Sequence, residues 1–457
     1  MHDGLATEIA RYEQRTPRSK QAHVRALQRV PLGVASNYRA YDPYPLFVKE
    51  GKGGRLWDLD GNEYIDFNLS FGALMAGHSH PAVVRAVESR LRGGTAYGMP
   101  HEMEWELADE ICKRYPVDMV RFGSTGTEAT MHAVRLARAV TARDRIVKFE
   151  GAYHGLHDAA LVSVKPHLEE VGSIEDPTPI SGGAGIPKTH IANTLIATFN
   201  DIRSVERRFE KHPGEIAAVI CEPIMMNVGM CMPQDGFLSK LRDLTRKHGA
   251  LLIFDEVKTG AKLSWGGACE FFDVKPDIVC LAKSIGGGLP LSAFGATRTV
   301  MDQISQHKVF HGGTYNTNPL SMAAGLATFR EVLTRDAYQH VDRLNKKLLS
   351  GYQRITERSG LKATVVGAGA NGVLLFRPAA LRNYRDWLEC DSELWRHYWF
   401  AMVNRGVLAQ PYWWDEQWTI SVQHTEADID RHIAAFEDVA PALAQAQRDR
   451  QAVAAAR

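Results

Sequence analysis

Six short apolar runs, MVRFGS, RIVKFEG, IAAVICEP, ALLIFDEV, DIVCLAKS and LSAFGATR, recur between about Met75 and Val332, with helical patterning between them. Most are continuously apolar with no alternation, as strands are when both faces are covered. Strands of that kind alternating with helices predict an α/β, doubly wound sheet. The helix expected after Thr127 supports this, because Ala129, Ala133, Leu136, Ala137 and Val140 form one apolar stripe. A chain of 457 residues exceeds what one small core holds, so two or more lobes are expected.

The flanks read differently. The first thirty or so residues are polar and helix-prone and end at a Pro31–Gly33 break. The segment LFVKEGKGGRLWDLDGNEYIDF then predicts a small antiparallel element, with turns at Gly53–Gly54 and Asp60–Gly61–Asn62. Past about residue 335 a long amphipathic helix, YQHVDRLNKKLLSGYQRITERSG, opens a second lobe. Strands follow near Thr364–Phe376 and Trp418–Gln423. A final helix starts at Thr425, with Asp428 completing an approximate capping box and a frayed tail expected. The domains expected are therefore 1–74, 75–332 and 333–457. The Pro-, Gly- and Ser-rich stretch from Lys165 to Lys188 reads as a long surface loop, a kind more often functional or mobile than idle.

Composition excludes several classes. The net charge of +1 gives no field that favours nucleic acid or an anionic membrane. No apolar run approaches the ~18 residues of a membrane span, and the N-terminus lacks a secretory apolar core. Six scattered cysteines without a C-x-x-C pair read as free thiols in a reducing compartment. A cytoplasmic protein is expected.

Three strand-end features carry chemistry. Gly123-Ser124-Thr125-Gly126-Thr127-Glu128-Ala129 is a small-residue turn opening a helix, where free N–H groups and hydroxyls could seat an anion. It is neither a Walker loop nor a dinucleotide fingerprint, which speaks against a nucleotide-binding Rossmann enzyme. Asp255-Glu256 ends the run ALLIFDEV, where a carboxylate suits a cationic partner or a magnesium ion, though no third acidic residue completes a metal set. Lys283 ends the next run, where burial would favour a nucleophilic amine, and Gly286–Gly288 would let the backbone pass close to a bound group.

The joint set resembles a known family. Gly126-Thr127-Glu128-Ala129-Thr130, Tyr153-His154-Gly155, Cys221-Glu222-Pro223, Phe254-Asp255-Glu256-Val257, Lys283 with its glycines, Gly313-Thr314, Asn318-Pro319 and Met322-Ala323-Ala324-Gly325 are similar to the motifs of class III aminotransferases of fold type I. Within them the chain most resembles the glutamate-1-semialdehyde aminomutase branch, from about residue 30 to 440. The resemblance implies a large doubly wound mixed-sheet domain with a smaller α+β domain formed by both chain ends. It implies pyridoxal 5'-phosphate as cofactor, a homodimer, and small amino acid, keto acid or aldehyde substrates. Lys283 matches the lysine that binds the cofactor and moves the substrate proton, and Asp255 the carboxylate facing the pyridine nitrogen. Tyr153 and Val257 match the groups on the two ring faces. Thr125, Gly126 and Thr127 match the phosphate cup, Thr314 the hydroxyl from the partner subunit, Glu222 lies near the cup in the family, and His154, beside Tyr153, counts with the cofactor-binding residues.

Ser36, Arg39, Asn227 and Glu416 match the aminomutase branch more closely. Arg39 would grip a substrate carboxylate through paired hydrogen bonds, Asn227 would sit near the ring's phenolic oxygen, and Glu416 would meet substrate amino groups. The departures are Phe71 in place of Trp, Phe310 in place of Tyr, and Tyr315-Asn316-Thr317 in place of Leu-Ser-Gly. With Tyr412, Trp413, Trp414 and Trp418 around Glu416, they point to a more aromatic pocket holding Phe71. Intermolecular amino-group transfer is therefore expected, with an intramolecular amino shift as the alternative; a cofactor-binding protein without turnover conflicts with the retained Lys283, Asp255 and Arg39. His78 and His80 read as a structural turn rather than a metal pair, and Arg203–Arg208 as a solvated helix face.

Overall fold

All six apolar runs are strands of one sheet in the computed structural model, which describes residues 3–234 and 236–455. In chain order the strands are β1 (Val48–Lys52), β2 (Arg55–Asp58), β3 (Glu63–Asp66), β4 (Met119–Gly123), β5 (Arg145–Phe149), β6 (Thr194–Ala197), β7 (Ile216–Cys221), β8 (Leu251–Asp255), β9 (Ile278–Leu281) and β10 (Ser292–Ala296). Then follow β11 (Thr364–Ala368), β12 (Asn371–Leu375), β13 (Val407–Leu408) and β14 (Trp418–Thr419).

The described residues pack into two compact units. One runs from Pro81 to Tyr338 with Leu381–Leu388; the other comprises the chain up to His80, Gln339–Ala380, and everything from Glu389 onward. The central unit holds the seven-stranded sheet in the order β4-β10-β9-β8-β7-β5-β6, in which β10 alone runs antiparallel to its neighbours. β7, β9 and β10 are buried at every position, as the unbroken apolar sequences of β7 and β9 require. The helix Gly126–Thr141 buries Ala129, Ala133, Leu136 and Ala137 against Ile220, Ile253, Ile278 and Phe294. Each buried leucine, isoleucine or phenylalanine side chain there contributes roughly 1.5–3 kcal/mol, and each alanine less.

Sequence reasoning missed β6, a strand of four residues beside the Pro- and Gly-rich stretch, too short to announce itself by periodicity. The stretch from Lys165 to Lys188 is irregular, as expected, but it is well anchored. Bridges pair Val162 with Ser181 and Gly172 with Pro177. Arg385, which forks onto Glu150 at 2.9 and 3.0 Å, also donates to the carbonyls of Gly172 and Ser173. Those contacts explain why Leu381–Leu388 belongs to the central unit. Arg208 corrects a further expectation. It is buried, and its guanidinium donates to the carbonyls of Ile196 and Pro177 rather than to solvent.

In the terminal unit β13 runs parallel to β3, pairing Val407 with Ile65, so the late chain completes a sheet begun by the early chain. β11, β12 and β14 form a second small sheet. Its core stacks Phe67 on His424 at 4.4 Å, and Tyr352 on Phe436 at 4.0 Å. Trp418 belongs to that core: it is fully buried and donates to Asn345 Oδ1 at 2.8 Å, so it lines no pocket. The last helix, Glu426–Ala455, opens with the expected reciprocal Thr425–Asp428 cap, and its tail stays helical through Ala455.

Candidate active site

β8 and β9 lie side by side with Asp255 opposite Cys280, so Lys283 emerges three residues past the partner of Asp255. Parallel strands with both faces covered deliver their functional side chains at the carboxyl ends, where the chain leaves the sheet. Lys283 leaves β9 with φ +53, a left-handed conformation that a side-chain-bearing residue adopts only under constraint. One of the glycines after it is required by the protein's own packing. At Gly287, φ +57, an added Cβ would lie 2.5 Å from Thr328 Oγ1 and 3.1 Å from Val83, so the close approach is to the protein's own helices.

Asp255 is buried and clamped. His154 Nδ1 lies 2.7 Å from Oδ2, and the Val257 N–H donates to Oδ1 at 3.0 Å. His154 is itself located by Thr130, whose hydroxyl donates to the His154 carbonyl at 2.6 Å. Its Nε2 is buried with no hydrogen-bond partner among the described residues. Burial, with the nearby charge of His154, pushes the neighbouring His157 down to about 3. Glu256, the other acid of the pair, is a structural cap: its carboxylate accepts from the N–H groups of Ala268 and Cys269 at 2.6 and 3.1 Å.

A second buried carboxylate shapes the next turn. Glu222 accepts from the Tyr153 and Met226 N–H groups, both at 3.1 Å, and from Asn227 Nδ2 at 2.8 Å. Burial raises its pKa. Sequence reasoning placed Glu222, Tyr153 and Asn227 separately; the structure brings them onto one side chain. It missed Lys148, whose Nζ donates to the carbonyls of Ala160 and Val162 at 2.7 and 2.6 Å, and which burial pushes down to about 7. The signal was present, since a lysine inside RIVKFEG must be buried if both faces of that strand are covered.

At the small-residue turn, Thr125 caps the helix Gly126–Thr141, and Glu128 Oε2 accepts from the N–H groups of Ser124 and Thr125 at 2.5 and 3.0 Å. The protein thus fills two of the expected anion donors itself. The Gly126 and Thr127 N–H groups, which open the helix, have no intrahelical acceptor. A Cβ on Gly126 would meet Val257 at 2.9 Å, so the helix start packs directly on the chain leaving β8. A phosphate at the helix start and a cationic ring nitrogen at Asp255 fit this donor and acceptor set. Among the described residues, no group of His, Cys, Asp and Glu could hold a metal ion.

A family model for class III aminotransferases matches residues 36–411. The chain belongs to the class III aminotransferases. Glutamate-1-semialdehyde 2,1-aminomutase of Desulfitobacterium hafniense is 40% identical to this class III enzyme over 431 residues, covering 93% of the chain and 98% of the relative. An omega-transaminase from Sphaerobacter thermophilus matches it with a TM-score of 0.89 at 32% identity, covering 93% and 98% of the two chains. A glutamate-1-semialdehyde aminomutase from Pseudomonas aeruginosa, in complex with PMP, matches with a TM-score of 0.87 at 29% identity, covering 95% and 97%. This class III aminotransferase is a fold-type I enzyme that uses pyridoxal 5'-phosphate and acts as an aminotransferase or aminomutase on small amino and keto compounds.

The remaining expected residues lie elsewhere in the fold. Ser36 precedes and Arg39 ends a short 3-10 turn, Asn37–Arg39, and Phe71 sits half-buried, all in the terminal unit. Glu416 is buried there, with Gln417 Nε2 3.2 Å from its carboxylate. Thr314 is exposed, on the segment of the central unit that also carries Phe310 and Tyr315. Phe310 is 84% exposed, so it lines no enclosed pocket in the single chain. No helix of the described residues is long and apolar enough to cross a membrane.

Proposed function

We propose that the enzyme transfers an amino group between a carboxylate-bearing amino acid and a separate keto acid or aldehyde. The observation that carries the chemistry is the pairing of β8 and β9, which sets the clamped carboxylate of Asp255 beside the strand that delivers Lys283. Bound pyridoxal phosphate supplies the electron sink that lets the substrate carbon release its proton. Lys283 Nζ holds the cofactor and then carries that proton. Asp255 holds a proton on the pyridine nitrogen, and His154 and the Val257 N–H keep its oxygens oriented. Thr125, Gly126 and Thr127 would seat the phosphate, and Tyr153, Val257 and Asn227, the last fixed by Glu222, would hold the ring. Arg39 grips the substrate carboxylate, with Ser36, Phe71 and Glu416 completing the substrate contacts.

We assign the working unit as a homodimer in the cytoplasm. Phe310 at 84%, Met99 at 76%, Tyr315 at 69% and Trp105 at 57% exposure are large apolar side chains left open on the central unit, around the exposed Thr314. A second copy would cover them, and Thr314 would reach the partner's phosphate.

The amino-shift reading keeps one specific support, the retained Ser36 and Glu416 in a chain 40% identical to an aminomutase. A donor amino acid labelled with 15N decides between the two. Label is expected on an added acceptor acid. Label confined to the donor's own carbon skeleton, with efficient isomerisation of glutamate semialdehyde, would reverse the assignment.

A further inference from the structure

The terminal unit carries a cleft of about 530 Å3, open to solvent on one side, whose wall includes Tyr38, the exposed Arg39, Tyr41, Phe71, Leu408 and Tyr412. Its aromatic side is preassembled. Tyr41 stacks on Tyr412 at 4.5 Å, Trp399 meets Tyr41 edge-on at 5.0 Å, and Tyr38 meets Phe71 edge-on at 6.3 Å.

The charged groups on this wall are spent inside the protein, with one exception. Asp58 accepts from the Asp60 and Asn62 N–H groups, from Asn62 Nδ2 and from the Tyr64 hydroxyl, all at 2.8 to 2.9 Å. Asp66 Oδ1 accepts from the Asn68 and Leu69 N–H groups at 2.9 and 3.0 Å, and His78 Nε2 sits 2.7 Å from Oδ2. The Tyr41 hydroxyl accepts from the Leu46 N–H at 2.7 Å, and the Tyr412 hydroxyl from Arg396 at 3.0 Å. Among the described residues, the Arg39 guanidinium is the charged group on the wall left without an intramolecular partner. The cavity therefore offers one unpaired charge, a cation, on a mainly apolar and aromatic wall. A second carboxylate would lose its hydration there and gain no cation.

The wall is also strained in a directed way. Leu69, Ser70, Phe71 and Gly72 follow one another at φ 44, 56, 58 and 72, one turn of left-handed backbone. Such a turn is unfavourable at each side-chain-bearing residue and persists only where neighbours over-determine it. Asp66 supplies that constraint through Asn68 and Leu69, and Asn68 adds to it by accepting from the Phe71 N–H at 2.9 Å. His78 in turn fixes Asp66.

We propose that this cavity is the side-chain pocket for the amino-acid substrate, shaped for an aryl or similarly bulky apolar group on a molecule whose single carboxylate meets Arg39, with Asp66 and His78 as positioning residues for its Phe71 wall. The proposal rests on the reading of Arg39 as the carboxylate anchor.

Calorimetric titration of the holoenzyme with 3-phenylpropanoate, its uncharged amide and glutarate tests both layers. 3-Phenylpropanoate should bind at least about tenfold more tightly than glutarate. Phe71→Ala should cost the aryl acid about tenfold and leave glutarate unchanged, and Phe71→Leu should give an intermediate loss. His78→Ala should raise KM for an aryl amino donor with kcat nearly constant, and His78→Gln, which keeps a donor to Asp66, should restore it. Arg39→Gln should abolish the preference for the acid over the amide. Equal affinity for aryl acid and glutarate, or no response to either Phe71 variant while Arg39→Gln still acts, overturns the pocket and leaves the anchor standing. An unaltered acid preference in Arg39→Gln overturns the anchor and, with it, this proposal.

Discussion

His154 and Asp255 meet at 2.7 Å inside the central unit, both buried, and with the Val257 N–H donating to Oδ1 at 3.0 Å both carboxylate oxygens are held. A buried carboxylate without partners is costly, so the pair fixes the direction of the Asp255 carboxylate. Asp255→Asn should fold with an unchanged far-ultraviolet circular dichroism spectrum yet lose about a hundredfold or more in turnover. Near-normal turnover would remove Asp255 from the reaction.

Lys283 should be the attachment point for the cofactor. Borohydride reduction of the yellow holoenzyme is expected to leave a cofactor-sized mass on the peptide containing Lys283, and Lys283→Ala should take up no such mass. A label on Lys258 or Lys262, both buried a few residues beyond β8, would move the site.

The sheet and the strand-end chemistry were legible in the sequence because covered strands need unbroken apolar runs and cannot hide a lysine or aspartate without a reason. What stayed hidden depends on contacts between distant segments. Glu222 joins Tyr153 to Asn227, and Arg385 ties the Gly172 loop to Glu150, through bonds that no spacing rule encodes. The aromatic residues of the late chain misled for a related reason. Tyr412 lines a cavity while Trp418, six positions on, is core, and residue type alone does not separate the two. The left-handed turn at Leu69–Gly72 was equally silent, since three of its four residues carry side chains that ordinarily avoid that conformation.

Acid should destabilise the protein through buried histidines. Burial lowers His157 and His432 to about 3 and His424 to about 4, all below the ordinary 6.5. The unfolded chain therefore binds protons that the native state refuses between those values and 6.5. Stability rises with pH across that window, is fully present above 6.5, and is lost as pH falls toward 4. Urea midpoints measured from pH 7 to pH 4 should fall, and His157→Gln should flatten the slope. A parallel slope in that variant would show that His157 does not contribute.

Ser70 stands exposed in the left-handed turn at φ 56, where its Cβ is unfavourable. Ser70→Gly should stabilise the protein by about 0.5–1 kcal/mol in urea titration, the relief of the Cβ clash outweighing the extra freedom of the unfolded chain. A loss of stability would mean the turn is not strained there.

The dimer can be tested through its active sites. If Thr314 serves the phosphate held by the other chain, each site combines Lys283 of one subunit with Thr314 of its partner. Mixing Lys283→Ala with Thr314→Ala under conditions of subunit exchange then yields hybrid dimers with one intact site and one doubly damaged site. Random pairing at equal amounts makes half the dimers hybrids, so about a quarter of all sites, and of the wild-type activity, should return. The recovery should appear with the time course of exchange and be absent when the two variants are mixed below the concentration at which dimers form. Replacing Phe310, the most exposed of the large apolar side chains, with Asp should weaken association and delay that recovery. Activity that stays at the mean of the two parents, or full activity in a diluted monomer, would place Thr314 outside the partner's site.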